Sequence, residues 1–303
     1  MAERRFDHRV AVITGAGRGL GREYALLLAS KGAKVIVNDN GSSMQGTGTE
    51  AGPAEDVVAE IRKAGGQAFA CTESVATREG CTAIVQCALD QFGQIDILVH
   101  NAGNVRYVSL LEIEDEDFKS VIDVHLMGAY YLVRRCFPLM CKAGYGRIVL
   151  TSSIGGIYGW ENVVGYGVAK TGIIGLNNVV AIEGADKNVK CNIITPGAVT
   201  RMAEGLDISQ YPPMGPDLVA PAVAWLAHES CSVTGEMLIA IAGRVARAMI
   251  AETPGIYRPS WTVDEIAENI DAIRDPSRPW ILSPLSGHRE HIARSFALAR
   301  KDS

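Results

Sequence analysis

The segment Val10-Ala-Val-Ile-Thr14 is a short apolar run that leads into Gly15-Ala-Gly-Arg-Gly-Leu-Gly21, after which residues 22–30 carry helix-spaced apolar positions. Glycines let the backbone turn tightly and approach a pyrophosphate, whose charge is stabilised by free N–H groups at a helix N-terminus. A second apolar run, Lys34-Val-Ile-Val-Asn-Asp39, ends at a carboxylate eighteen residues beyond Gly21. This order favours a dinucleotide-binding strand, loop and helix over an ordinary glycine turn.

Short β-branched runs alternate with longer helical patterns along most of the chain. The predicted strands continue at residues 95–100, 147–151, 191–194 and 237–241, with 67–71 as a weaker candidate, and the predicted helices cover 20–31, 54–64, 77–92, 115–142, 165–185 and 217–228. This alternation predicts an α/β fold with a doubly wound parallel sheet of the Rossmann type. Beyond Gly243 it stops, leaving two polar helical stretches near 262–274 and 288–300. We therefore expect a catalytic domain over residues 1–243 and a C-terminal helical extension over 244–303 packed on it.

Composition excludes several classes of protein. With 303 residues, 48% hydrophobic and 21% charged, the chain can form a full core and is unlike a disordered protein. The net charge of −5, without a block of five like charges, argues against a nucleic-acid partner. No apolar run reaches the roughly 18 residues that a membrane span needs, and no signal peptide is recognisable. Seven cysteines without a CxxC pair indicate reduced thiols, so we expect a cytoplasmic protein.

A second motif suggests proton transfer. Thr151-Ser-Ser153 follows a predicted strand, and Tyr166 stands thirteen residues after Ser153, with Lys170 four residues further on. Positions i and i+4 share one helix face, so the ammonium of Lys170 is expected near the phenol, lowering its pKa from about 10 toward neutrality. Tyr166 would then be a usable general base. Alone, such a pair could be an ordinary helix surface pair, but here it is joined by Asn101-Ala-Gly103 after a predicted strand.

Coenzyme choice depends on two side chains of opposite charge. The carboxylate of Asp39 can accept hydrogen bonds from both hydroxyls of an adenosine ribose and would repel a 2′-phosphate. Arg18, in the glycine loop, could instead bind a 2′-phosphate or be a solvated surface charge. Because a dianion beside a carboxylate costs several kcal/mol, the sequence predicts NAD as the cofactor.

With these motifs in this order, and Pro196-Gly197 after them, residues 8–243 resemble the short-chain dehydrogenase/reductase family. The resemblance is closer to one branch, the dehydrogenase units of peroxisomal multifunctional enzyme type 2 and their bacterial relatives. The strings that carry it are Val37-Asn-Asp39, Tyr145-Gly-Arg-Ile, Gly156-Ile-Tyr-Gly159, Ala181-Ile-Glu-Gly184, His228-Glu-Ser-Cys231 and Thr253-Pro-Gly255.

The resemblance implies hydride transfer between a nicotinamide and a carbinol or carbonyl carbon. Tyr166 would take the hydroxyl proton, Ser153 would hold the substrate oxygen, and Lys170 would bind the nicotinamide ribose. A homodimer or homotetramer is implied, with the long helices packed between subunits. The cofactor-binding residues would be Gly15, Gly17, Arg18, Gly19, Leu20, Gly21, Asp39, Ser74, Val75, Asn101, Ala102, Gly103, Tyr166, Lys170, Pro196, Gly197, Val199 and Thr200.

Three positions depart from the family pattern. Where the family usually has Asn, this chain has His125, which is a catalytic candidate or a structural substitute. The threonine after Pro-Gly is shifted to Thr200, and the last strand ends in Ala242-Gly243 rather than two glycines, which puts a subunit contact there in doubt.

The expected substrate is a small molecule with a bulky and largely apolar body. Resemblance points to a 3-hydroxyacyl-CoA, with a hydroxysteroid as the alternative and a non-catalytic NAD-binding scaffold as the rival from another class. Segment 202–216 is interpreted as a mobile lid, and Val105, Tyr107 and Met214 as further lining of the substrate pocket. His288 and His291 lack a third ligand, so no metal site is expected. The substrate candidates are Arg106 and Arg201 as partners for CoA phosphates, and Tyr158, Trp160 and Met202 as apolar contacts.

Overall fold

The computed structural model describes residues 3–49, 52–200 and 210–301. The chain divides into two compact units, one ending at Arg247 and the other beginning at Ala248. This division lies four residues beyond the boundary expected from the sequence.

The described part of the first unit is built on one sheet flanked by helices. Its strands are Val10–Thr14 (β1), Lys34–Asn38 (β2), Gln67–Cys71 (β3), Ile97–His100 (β4), Gly146–Thr151 (β5), Val189–Gly197 (β6), Met237–Ile241 (β7) and Arg244–Ala248 (β8). Its helices are Gly19–Ser30 (α1), Gly52–Lys63 (α2), Arg78–Phe92 (α3), Asp115–Ile122 (α4), Gly128–Ala143 (α5), Ile154–Ile157 (α6), Val164–Gly184 (α7) and Ala220–Ala227 (α8). The strand order is β3-β2-β1-β4-β5-β6-β7-β8, with β1 to β7 paired in parallel. The predicted doubly wound parallel sheet is confirmed.

The strand order places a crevice at the centre of the sheet. Strands β1 and β4 are neighbours although they are not consecutive, so the chain leaves the sheet in opposite directions at their carboxyl ends. Ligands of open α/β sheets bind at such a switch point. The residues of β1 and β4 are buried throughout, which fixes the loops that follow them on a rigid base.

Two elements of the first unit differ from the sequence prediction. Strand β8 follows β7 through Ala242 and Gly243, whose φ angles of 47° and 78° are both positive, as in a two-residue hairpin turn. The long helix expected over 115–142 contains one π-helical turn, Asp123–Met127, between α4 and α5. π-Helical turns inside α-helices are frequent at functional sites.

The second unit contains the helical stretches expected near 262–274 and 288–300. They form Val263–Glu268 (α9), Ile270–Ile273 (α10) and Gly287–Lys301 (α11). Thr262 and Glu265 cap the start of α9 reciprocally, each side chain bonding the other's backbone N–H. His291 Nδ1 lies 2.9 Å from a carboxylate oxygen of Glu252. Within the described residues, no helix is both long and apolar enough to cross a membrane, and no group of three or more His, Cys, Asp or Glu could hold a metal ion.

Candidate active site

The glycine loop after β1 brings the backbone against the residue at the end of β2. Gly17 N donates to Asp39 Oδ2 at 2.8 Å, and Gly41 N donates to Asp39 Oδ1 at 2.8 Å. A Cβ on Gly17 would lie 2.9 Å from that carboxylate, and one on Gly21 would lie 2.1 Å from Gly15 O. Gly15 has φ +62° and packs against the Cα of Ala102. Side chains would push this loop away from β2 and β4, so glycine is required here.

The ends of β1 and β4 are joined through Thr14. Its Oγ1 accepts hydrogen bonds from Asn101 N and Ala102 N, each at 3.1 Å, and lies 3.0 Å from His100 Nδ1. With both lone pairs used, the hydroxyl proton of Thr14 points to His100. The His100 Nε2–H then donates to the carbonyl of His125 at 3.1 Å.

Most of the residues predicted from the sequence to bind the cofactor line one cleft of about 490 Å³. They are Gly15, Arg18, Gly19, Leu20, Asp39, Ser74, Val75, Asn101, Ala102, Gly103, Tyr166, Lys170, Pro196, Gly197, Val199 and Thr200. Gly17 bonds Asp39 directly, and Thr200 lies opposite Gly19, where a Cβ would meet its methyl at 3.3 Å.

The donors of this cleft fit a nicotinamide dinucleotide. The side chain of Arg18, which precedes α1, makes no capping hydrogen bond to this helix, and the first backbone N–H groups of an α-helix have no partner within the helix itself. Those groups suit a pyrophosphate, and Asp39 stands where a ribose with two hydroxyls would follow.

Strand β5 and helices α6 and α7 hold the proton-transfer residues. Ser153 begins α6, and its Oγ accepts from Gly155 N at 3.1 Å. Tyr166 and Lys170 lie one turn apart on α7, with Lys170 Nζ 5.5 Å from the centre of the Tyr166 ring. Lys170 is almost fully buried and donates to Thr151 O at 2.6 Å. The cluster of Ser153, Tyr166 and Lys170 expected from sequence spacing is thus formed at the carboxyl end of β5.

The pKa of Tyr166 differs from the sequence expectation. Burial raises this pKa above 10.0, and hydrogen bonding to the Ser153 side chain offsets part of the rise. Burial also lowers the pKa of Lys170 from 10.5 to about 7. Desolvation is the largest cause of both shifts, and it disfavours the charged form of each group. The prediction that Lys170 lowers the pKa of Tyr166 is therefore wrong for the chain by itself.

His125 lies in the π-helical turn, packed edge-on against the Tyr166 ring at 5.3 Å between centroids. Its Nε2 is 2.7 Å from Asn104 O and 3.1 Å from Asn104 N. A proton on Nε2 satisfies the shorter contact, whereas the other tautomer would place two lone pairs 2.7 Å apart. Burial, followed by the charge of Lys170, lowers the pKa of His125 well below 6.5. The neutral ring, with Nε2–H committed to Asn104, suits positioning rather than proton donation.

The substrate candidates have different outcomes. Trp160 lines the cleft and contacts Tyr107 edge-to-face at 6.2 Å, and Met214 also lines it. Tyr158 is 79% exposed and does not line the cleft. Arg106 is a poor candidate for CoA phosphates because its Nε donates to Asp117 at 2.7 Å and its side chain is only 16% exposed. Arg201, Met202 and most of the expected lid lie outside the described residues.

Sequence reasoning did not identify His100 and Asn104 as site residues. Both are buried polar residues beside the cleft, and both contact His125. They flank Asn101-Ala-Gly103, so a polar residue on each side of that motif was the available signal. That signal is weak because a single histidine or asparagine is more often a core or loop residue.

Comparison with known proteins gives a consistent result. The family model for short chain dehydrogenase matches residues 9–208. The peroxisomal multifunctional enzyme type 2 of Drosophila melanogaster is 49% identical over 259 residues, covering 84% of this chain and 43% of that protein. The full-length structure of that enzyme has a TM-score of 0.80 at 39% identity, covering 98% of this chain and 50% of that one. A short chain dehydrogenase from Mycobacterium avium has a TM-score of 0.79 at 36% identity, covering 90% of this chain and 97% of the other.

Proposed function

The chain belongs to the short-chain dehydrogenase family of oxidoreductases, and from this premise we propose that it oxidises a 3-hydroxyacyl-CoA with NAD. The observation that carries the proposal is the proximity of Ser153 and Lys170 to Tyr166, which lines the same cleft as the glycine loop. A scaffold that only binds the cofactor would need the loop but no proton-transfer residues.

Each residue of the cluster has a separate task in this reaction. The Ser153 hydroxyl holds the substrate oxygen, and the Tyr166 oxygen takes the proton of the substrate hydroxyl. Lys170, which donates to Thr151 O at 2.6 Å, binds the nicotinamide ribose. When its amine is protonated, it also stabilises the tyrosinate form of Tyr166. Bound nicotinamide supplies the hydride acceptor. Burial disfavours both the tyrosinate of Tyr166 and the ammonium of Lys170. Proton transfer at Tyr166 is therefore favoured when these two opposite charges form together.

The choice of NAD is supported by the geometry of Asp39. Its two oxygens are fixed by Gly17 N and Gly41 N, so the carboxylate cannot rotate away from a ribose beside the loop. A 2′-phosphate there would meet this fixed negative charge. Arg18 lines the same cleft, and its positive charge would favour the 2′-phosphate of NADP.

The choice of substrate follows from the likeness to peroxisomal multifunctional enzyme type 2. The chain spans about 43% of the Drosophila multifunctional enzyme, so the activities of that whole protein come to this chain only as a proposal. Tyr107 and Trp160 give the cleft an aromatic wall that suits an acyl chain or a sterol. A hydroxysteroid remains the second candidate because this wall serves both substrates equally.

A steady-state comparison tests the proposal. Purified chain is assayed for NADH formation from a 3-hydroxyacyl-CoA, the matching free hydroxy acid and a sterol alcohol, each with NAD and with NADP. We expect the highest kcat/KM with the thioester and NAD. Oxidation of the sterol alone would reject the thioester, preference for NADP would reject the coenzyme, and cofactor binding without turnover would favour the scaffold.

A further inference from the structure

We propose that Asn104 is a positioning residue that links a turn beside the adenosine half of the cleft to His125 and Tyr166 in its catalytic half. The inference rests on the proposed function, because it assigns the catalytic half to Tyr166. Its starting point is the 43–47 turn, formed by Ser43, Met44, Gln45, Gly46 and Thr47.

The 43–47 turn is held together by its own hydrogen bonds. Ser43 N donates to Thr47 O and Gly46 N donates to Ser43 O, both at 2.9 Å, and the Ser43 and Thr47 hydroxyls are 2.8 Å apart. The turn begins four residues after Asp39, whose carboxylate is bonded to Gly41 N. The turn is therefore a locally hydrogen-bonded unit that lies close in the chain to the carboxylate proposed to bind the ribose.

This turn contacts the segment that follows β4 through backbone and side chain. Val105 N donates to Met44 O at 3.1 Å, and a Cβ on Gly46 would lie 2.8 Å from Asn104 Nδ2. Asn104 is 4% exposed, and its Nδ2 is directed at Ser120 O at 3.4 Å. Because the side chain is enclosed, a displacement at Gly46 cannot be absorbed by rotation into solvent.

From Asn104 the contacts continue to the catalytic tyrosine. Its backbone carbonyl lies 2.7 Å from His125 Nε2, and the preceding Gly103 packs so closely that a Cβ would lie 2.4 Å from His125 Cε1. The His125 ring in turn packs against the Tyr166 ring. A shift of Asn104 thus reaches Tyr166 through two direct contacts, one hydrogen bond and one ring–ring contact.

Two glycines of the same loop provide a matched test. Gly46 and Gly48 have φ of +78° and +76°, so alanine adds equal backbone strain at either one. Among the described residues, no atom lies within 4 Å of a Cβ built on Gly48, whereas a Cβ built on Gly46 meets Asn104. We expect Gly46→Ala to lower kcat about tenfold, since a 1 Å misplacement can cost roughly a hundredfold, and Gly48→Ala to leave kcat near that of the wild type. The NADH dissociation constant, measured by fluorescence, should change equally in both variants.

A spectroscopic readout follows the link without turnover. The chain has six histidines, so histidine-selective labelling allows the His125 imidazole signal to be followed by NMR, with His125→Gln used for assignment. We expect Gly46→Ala to shift this signal and Gly48→Ala to leave it in place. If the wild type oxidises none of the three alcohols, the proposed function fails while this readout still tests Asn104.

A double-mutant cycle shows whether Asn104 carries the effect. In Asn104→Ala or Asn104→Ser, the atom that the new methyl would meet is gone, so adding Gly46→Ala should cost no more kcat than adding Gly48→Ala. The inference is overturned if Gly46→Ala and Gly48→Ala behave alike in the wild-type background. It is also overturned if the loss persists in both Asn104 variants, or if it appears as weaker NADH binding instead of lower kcat.

Discussion

Tyr166 is the residue on which the chemistry of the site depends most directly. Replacing it with phenylalanine removes the proton acceptor and keeps the ring that packs against His125. We expect Tyr166→Phe to lower kcat by at least about a hundredfold, the lower end of general-base contributions, with NADH affinity unchanged. Tyr158→Phe is the matched control because that exposed phenol lies outside the cleft. Near-normal turnover of Tyr166→Phe would contradict the assignment.

Lys170 gives the stability of the chain a defined pH dependence. Because burial lowers its pKa to about 7 from 10.5, the unfolded chain binds more protons at this residue between those two pH values. The free energy of unfolding of the wild type should therefore rise with pH relative to Lys170→Met, by at most about 1.4 kcal/mol per pH unit. Urea unfolding at pH 7 and pH 9.5 measures this difference. The exposed Lys63→Met is the control, and parallel pH profiles for wild type and Lys170→Met would contradict the prediction.

Asp39 controls coenzyme preference through its charge. Asp39→Asn keeps an oxygen that can accept from Gly17 N and removes the negative charge that a 2′-phosphate would meet. We expect the ratio of kcat/KM for NADP to that for NAD to rise about tenfold, or about 1.4 kcal/mol. Glu73→Gln removes a charge from the same cleft without touching the glycine loop. An equal change in both variants would show a general field effect instead of recognition by Asp39.

The site could be predicted at the residue scale where the chemistry depends on spacing along the chain. Ser153 closely follows β5, and Tyr166 and Lys170 share α7, so separations of thirteen and four residues were sufficient. The direction in which the pKa of Tyr166 shifts was not predictable, because the shift depends on how deeply Tyr166 is buried rather than on the spacing to Lys170. Asn104 depends on the 43–47 turn, a long-range contact that no periodicity reveals.

At the scale of elements, the prediction followed the strength of the hydrophobic pattern. Strands β1, β4 and β5 are buried along their whole length, and each contains at least three consecutive apolar residues. Strand β8, Arg244-Val-Ala-Arg-Ala, is mostly exposed and contains two arginines and no run of three large apolar residues, so it was missed. The π-helical turn at Asp123–Met127 was missed as well, since one extra residue in a turn barely disturbs helical spacing.

The turn between β7 and β8 carries backbone strain that a substitution can relieve. Ala242 has φ of 47°, a region that costs an alanine about 1–2 kcal/mol, whereas asparagine enters it readily and Asn-Gly is the preferred pair for such a hairpin. We expect Ala242→Asn to raise the free energy of unfolding by up to about 1 kcal/mol in urea titrations. Ala64→Asn, at an exposed position outside the positive-φ region, serves as the control. A loss of stability only in Ala242→Asn would mean that the turn has another geometry.

At the scale of the whole molecule, the sequence predicted a catalytic domain over residues 1–243 and a C-terminal extension over 244–303. The alternation of strands and helices ended at Gly243 in the sequence, whereas the first unit continues to Arg247. The difference is strand β8, which joins the edge of the sheet. A boundary predicted from patterning alone therefore lies where apolar alternation weakens, and the structural boundary lies where pairing with the sheet ends.

The homo-oligomer implied by family resemblance can be tested on helix α7. Val168, Gly175, Val179 and Ile182 are spaced by seven, four and three residues, so they share one face, and its three apolar side chains are about half exposed. A symmetric contact between copies of this chain would bury that stripe. We expect light scattering at micromolar concentration to give a dimer or larger species, and Val179→Asp to shift it toward monomer. Val263→Asp, at a valine that is 86% exposed in the second unit, should leave the mass unchanged. A monomeric wild type would contradict the oligomer, and an unaffected mass in Val179→Asp would place the contact on another surface.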